Sequence, residues 1–291
     1  MPKNDNTPPA HPFSAWALPA AISLIAFAAN SLFCRMALRG GDIDPGSFTA
    51  IRLCSGALFL LCLSKLRQPQ MRLGGSWKGS LALFCYAYLF SLAYLQLDAG
   101  PGALILFGAV QITMFLCGWL RGEALRPQVV VGMLLAFAGL VLLLLPGSNA
   151  PALTSALLMV ASGIAWGAYS LLGKGSANPL ADTAGNFLRS LPLMLVAWLF
   201  LGGAAHATQA GVVYALASGI LASGAGYAIW YAVLKQISAQ QAATLQLSVP
   251  VLASLAGVLL LSEPMSWRLL LSSVIVLGGI AVALVRLPRL P

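Results

Sequence analysis

The chain has 291 residues, 59% of them hydrophobic and only 8% charged, with a formal net charge of +9 and a mean hydropathy of +0.88. A soluble domain carries about a quarter of its residues as Asp, Glu, Lys and Arg, so the composition excludes one and points to a chain dissolved in a lipid bilayer. Nucleic-acid binding is excluded with it, because the basic residues sit in short breaks between apolar runs rather than on one polar face. The alternating ten-residue segments of a membrane β-barrel are also missing.

The chain opens on MPKNDNTPPAHP, a Pro-rich polar stretch expected as a cytoplasmic tail over 1–13, and the apolar run that follows is too long for a cleavable signal. A helix crossing the bilayer core needs roughly 20 mostly apolar residues. On that criterion helices are expected at about 14–37, 47–66, 79–97, 101–120 and 128–145. The tightest Pro/Gly break, PGSNAP at 146–151, comes next. Five more helices follow at about 152–173, 183–203, 210–232, 240–261 and 267–286.

The second half repeats the first. AFAANSLFCR (26–35) aligns with AWGAYSLLGK (165–174), matching Phe27 with Trp166, Asn30 with Tyr169 and Arg35 with Lys174. Arg52 falls on Arg189, and Glu123 in GWLRGEALRPQ falls on Glu263 in LLLSEPMSWR. Five helices per copy is an odd number, so the second copy enters the membrane from the opposite side. The expected fold is therefore all-α integral membrane, ten transmembrane helices arranged as two inverted five-helix repeats over 14–145 and 152–286. In such repeats substrate sites lie near the midplane between the halves. Arg35, Arg39 and Arg268 fall on the outer side, Arg52 and Arg189 inside spans, and the other eleven of the 16 basic residues on the inner side. That asymmetry places both termini in the cytoplasm.

With these features, and the second copy's QQAATLQLSVPVLASLAGVLLLSEPMSWRLLLSSVIVLGGIAVAL (240–284), the chain resembles the drug/metabolite transporter superfamily, EamA type. The first copy departs from the pattern by lacking the proline that stands at 250. Among its branches the chain is most similar to bacterial exporters of amino acids, aromatic ones included. The resemblance implies export of small neutral amino acids with aromatic or large apolar side chains across the bacterial inner membrane, by alternating access. An exporter of other amphiphilic metabolites or drugs, and an accessory or receptor membrane protein, stand as alternatives.

The residues themselves narrow the chemistry. No phosphate-binding GxxxxGK[ST] loop is present, so transport would run without ATP. The two histidines lie in the tail and in a loop, which removes the base of an intramembrane hydrolase. No enzyme, cofactor or metal is expected. The five cysteines lack metal-ligand spacing and read as packing residues. No carboxylate stands at mid-depth, which argues against cationic substrates.

What does stand there is uncharged and amphiphilic: Asn30, Tyr86, Gln111, Trp166, Tyr169, Tyr227 and Gln246 are the expected substrate-binding residues. They assign a cavity to helices 1, 3, 4, 6, 8 and 9, with helices 5 and 10 bracing the outside. Pro250 removes the hydrogen bond to the Gln246 carbonyl and is the expected hinge. Ser218, Ala222 and Gly226 read as a helix-packing face. Arg52 and Arg189 need partners, and crossed pairs Arg52–Glu263 and Arg189–Glu123 are expected as gates. The partners are thus a neutral amino acid and the bilayer, with oligomeric state left open.

Overall fold

The computed structural model describes residues 13–67, 69–70, 72–122, 127–146, 150–201, 205–237 and 239–284. Residues 1–12 of the expected tail, and Glu123 with its expected pairing, lie outside the described residues. The regular structure within them is helical, apart from one isolated bridge between Ile43 and Ala207. In chain order α1 is Phe13–Arg39, α2 Pro45–Arg67, α3 Trp77–Ala93, α4 Ala99–Leu120 and α5 Pro127–Leu144. Then come α6 Leu153–Gly173, α7 Pro179–Leu201 and α8 Gln209–Leu234. The last two are α9, in the pieces Ala239–Gln246 and Ser248–Leu261, and α10 Trp267–Leu284. Eight of these helices are long and apolar enough to cross a membrane, and Leu134, Phe137, Phe200 and Val274 face outward as in lipid. The protein is a multi-pass membrane protein.

Local chemistry accounts for the ends and irregularities. Ser76 and Thr208 cap α3 and α8 by accepting hydrogen bonds from the amides of Gly79 and Gly211. Pro250 has no N–H to give to the turn before it, and α9 is interrupted at Leu247. In α8 the stretch Ser218–Ala225 is π-helical. Of the expected small-residue face, Ser218 bonds Asn30 of α1 and a side chain at Gly226 would press on Ala26 and Phe27, while Ala222 is buried.

The closest pairing is α5 along α10. Gln128 donates to the Val282 carbonyl at one end and Arg268 to the Leu145 carbonyl at the other, so the two helices run antiparallel. Gly279 lets them meet, since a Cβ there would lie 2.6 Å from the Gly132 carbonyl. Elsewhere α2 packs on α7, α6 on α3 and α4, α1 on α8 and α9, and α4 on α9. The loops after α1 and α7 share one face, where the Asp44 amide donates to the His206 carbonyl. The loop after α2 and the start of α7 share the other, where Asp182 accepts from the Gly75 amide and from Ser176 of the loop after α6.

Candidate functional site

A cavity with about 30 Å³ of room lies at the centre of this packing, and residues of α1, α3, α4, α6, α8 and α9 line it. Its walls are aromatic because rings from four helices converge. The Trp166 ring lies 4.6 Å from Tyr86, 5.3 Å from Tyr227 and 5.3 Å from Tyr169. Phe27 leans on Tyr227 at 5.7 Å. Room for about two waters is far below the several hundred Å³ that a bound amino acid needs, so these walls must part to admit one. A second recess of about 180 Å³, lined by Gly75, Tyr169, Asp182 and Asn186 among others, lies where α3, α6 and α7 meet.

Behind the Tyr86 wall stands Arg52, 1% exposed and the largest fully buried side chain. Gly219 brings α8 onto α2, for a Cβ there would lie 2.5 Å from the Arg52 carbonyl. Arg52 Nε then donates to Ser223 Oγ at 3.2 Å and Nη2 to Tyr86 Oη at 3.0 Å. The guanidinium carbon sits 5.2 Å from the Tyr86 ring centre and 5.3 Å from that of Phe90. Nη1 is buried with no hydrogen-bond partner among the described residues. Asn30 Nδ2 also donates to Tyr86 Oη, at 3.3 Å, while Ser218 Oγ donates to Asn30 Oδ1 at 2.6 Å. A π-helical turn closes i to i+5, so Ser218 and Ser223, five apart, are brought toward one face of α8.

The second buried arginine, Arg35, sits where α1 approaches the starts of α4 and the α9–α10 loop. Ser262 adopts a left-handed conformation (φ 53°) and the Glu263 amide donates back to the Gly257 carbonyl. That turn lays the Glu263 carboxylate on the first turn of α4, where it accepts from the Ala99 amide at 2.8 Å. Arg35 bonds Glu263 at 3.3 Å, Asp98 at 2.8 Å and the carbonyls of Tyr94 and Leu95. Burial pushes the Glu263 carboxyl above its usual range, reinforced by Asp98 and opposed by the Ala99 amide and Arg35.

The expected site residues divide accordingly. Asn30, Tyr86, Trp166, Tyr227 and Gln246 line the central cavity; Tyr169 backs Trp166 but opens on the second recess; Gln111 is buried on α4 away from the lining. The expected Arg52–Glu263 pair is corrected: Glu263 is turned toward Arg35, and Arg52 is engaged by Tyr86 and Ser223. Arg189 donates to the Gly74 carbonyl at 2.6 Å, its observed partner. Arg35, expected only as an outer-side residue at the end of the first helix, is not among the expected site residues, and its alignment with Lys174 is the one signal the sequence offers.

A family model described as the EamA-like transporter family matches the chain twice, over 14–145 and 153–285. The chain is 55% identical to the Uncharacterized protein PA1977 of Pseudomonas aeruginosa over 92% of its length and 93% of that protein's. It is 25% identical to a Probable amino-acid metabolite efflux pump of Salmonella typhimurium, over 68% of this chain and 71% of that one. It is 27% identical to the Aromatic amino acid exporter YddG of Ancylobacter novellus, over 90% and 96%. A protein solved by crystallography shares the fold with a TM-score of 0.64 at 22% identity, covering 90% of this chain and 98% of that one.

Proposed function

Since the chain belongs to the EamA-like transporter family, we propose that it exports neutral amino acids with aromatic or large apolar side chains across the bacterial inner membrane. The observation that carries this reading is the ring cluster of Tyr86, Trp166 and Tyr227 around the central cavity. Flat apolar walls suit a ring or branched side chain, and Asn30 and Gln246 supply polar contacts beside them. The names of the Salmonella and Ancylobacter relatives point the same way.

Transport is by alternating access of two inverted five-helix repeats, 14–145 and 152–286, with both termini cytoplasmic. The antiparallel approach of α5 with α10 supports that arrangement, as does the exchange symmetry of the packing, in which α3 on α6 is matched by α8 on α1. The Arg35–Asp98–Glu263 cluster closes the outer side, the second recess opens toward the inner one, and Pro250 lets α9 bend between them. The test is flux of a labelled amino-acid panel in proteoliposomes holding the full chain. Phenylalanine, tryptophan and leucine should move faster than alanine and threonine; movement of none of them would refute the reading.

A further inference from the structure

The hydrogen bonds around Tyr86 decide which chemical group the central cavity receives. Arg52 Nη2 can only donate, so Tyr86 Oη accepts from it at 3.0 Å. The orientation of the Asn30 amide follows from distances. Its contact with Ser218 Oγ is 2.6 Å, which suits O–H···O and is short for N–H···O, so the amide oxygen faces Ser218. The amide nitrogen therefore faces Tyr86 and donates at 3.3 Å. Tyr86 Oη thus accepts two hydrogen bonds, and among the described residues none accepts its own proton. The residue lines the cavity, where the hydroxyl can donate a hydrogen bond to a ligand.

Charge points the same way. Among the described residues the ion pairs are both made by Arg35, and Arg52 has no carboxylate partner. A buried guanidinium without a counter-ion is costly, and one of its nitrogens, Nη1, has no hydrogen-bond partner among the described residues. The guanidinium also polarises the Tyr86 hydroxyl, making it a better donor. The positive field and the free donor both call for an anionic acceptor. For an ammonium group the lining offers neutral partners, the oxygens of Ser31, Asn30 and Gln246 and the ring faces, and among the described residues no acidic side chain lines it.

We propose that the cavity selects its substrate by the carboxylate, which accepts a hydrogen bond from the Tyr86 hydroxyl in the field of Arg52, and that the amino group is dispensable. Aromatic monocarboxylates lacking an ammonium group are then ligands of the same site, and aromatic amines are not. This rests on the reading of the cavity as the transport site, and it deepens that reading by naming the recognised group.

The test uses the full chain in two formats: counterflow of labelled phenylalanine in proteoliposomes, and direct ligand titration of the purified protein followed by its tryptophan fluorescence. The probes are phenylalanine, 3-phenylpropionate and phenethylamine. The expected result is binding of 3-phenylpropionate within about tenfold of phenylalanine, with phenethylamine weaker by about a hundredfold or more, as where a polar pocket meets a ligand lacking the matching group. Arg52→Gln and Tyr86→Phe should each cut the acid-over-amine preference by about tenfold; a merely structural role would weaken all three ligands alike. Should Arg52→Gln fail to fold, Tyr86→Phe, which keeps the ring, decides. Equal or better binding of the amine, or a preference unchanged in Tyr86→Phe, would overturn the proposal. Binding of 3-phenylpropionate with the expected mutant response, but no phenylalanine flux, would refute amino-acid export and leave carboxylate selection standing.

Discussion

Two arginines are buried in this protein to nearly the same degree, and they are served in opposite ways. Arg35, 7% exposed, is met by two carboxylates and two backbone carbonyls. Arg52, 1% exposed, is met by a phenol, a serine and two ring faces, with no acid. A charge matched by acids from two other segments fastens those segments together. A charge left unmatched beside a cavity keeps its field for something that comes and goes. The contrast separates a fastening at one face of the bundle from a recognition element at its centre.

The comparison is broken most severely at the fastening. Arg35→Met would strand Glu263 and Asp98 without their cation, and breaking a buried pair from one side costs about 3–5 kcal/mol. The expected outcome is a large drop in the thermal unfolding midpoint of the purified protein, with Arg35→Lys falling between Arg35→Met and wild type. If Arg35→Met melts like wild type, the cluster fastens nothing.

At the centre the expected loss is in selectivity. Trp166→Ala removes the ring that touches Tyr86, Tyr169 and Tyr227. Ring burial contributes roughly 2–3 kcal/mol by area, part of which is offset by ordering. Flux of phenylalanine and tryptophan should fall about tenfold more than flux of alanine, with the protein still inserted in the membrane. Equal loss for all substrates would assign Trp166 to packing instead.

The sharpest form of the contrast is the same substitution at the other arginine. Arg52→Met strands no carboxylate, since the partners it leaves, Ser223 and Tyr86, are neutral, and it removes a buried guanidinium that lacks a counter-ion and is costly to hold. The melting midpoint should therefore stay within the equivalent of about 1 kcal/mol of wild type, while transport is lost. A drop as deep as that of Arg35→Met would erase the distinction between the two sites.

How far the sequence disclosed this follows from which forces act locally. The helices lie close to where apolar run length put them, because span length is set by bilayer thickness and turn residues. Pro250 announced the interruption of α9, since a missing N–H acts on its own turn. The π-helical stretch of α8 was hidden, because SGILASGA reads as an ordinary run of small residues. The rings of Trp166, Tyr86 and Tyr227 could be nominated from chemistry and depth, yet Gln111 has the same credentials and lies off the cavity. Most opaque were the arginine partners. Glu263 belongs to Arg35 because Ser262 turns left-handed and points the carboxylate at α4, a detail of one φ angle that no spacing encodes.

The smallest expected effect is one of pH, and it tests whether the fastening can be released without harm. The Glu263 carboxyl is raised by burial, so as pH falls it takes up a proton above the usual carboxylate range. Facing it are Arg35, Asp98 and the Ala99 amide, with Arg39 bonded close by to the Leu261 carbonyl. Protonation cancels the Arg35–Glu263 attraction and also relieves the cost of a buried charge. For an acid whose folded-state pKa lies above its unfolded one, the folded chain binds the proton more tightly, so this group adds stability as pH falls through that interval. The expected outcome is a melting midpoint that does not drop as pH falls from the raised pKa to the usual carboxylate range, while Leu97→Cys, beside the cluster, becomes modestly more reactive to a thiol reagent. Glu263→Gln should fix the reactivity at its acidic value and abolish its pH dependence. Reactivity that still follows pH in Glu263→Gln would place the titrating group elsewhere and leave the fastening insensitive to protons.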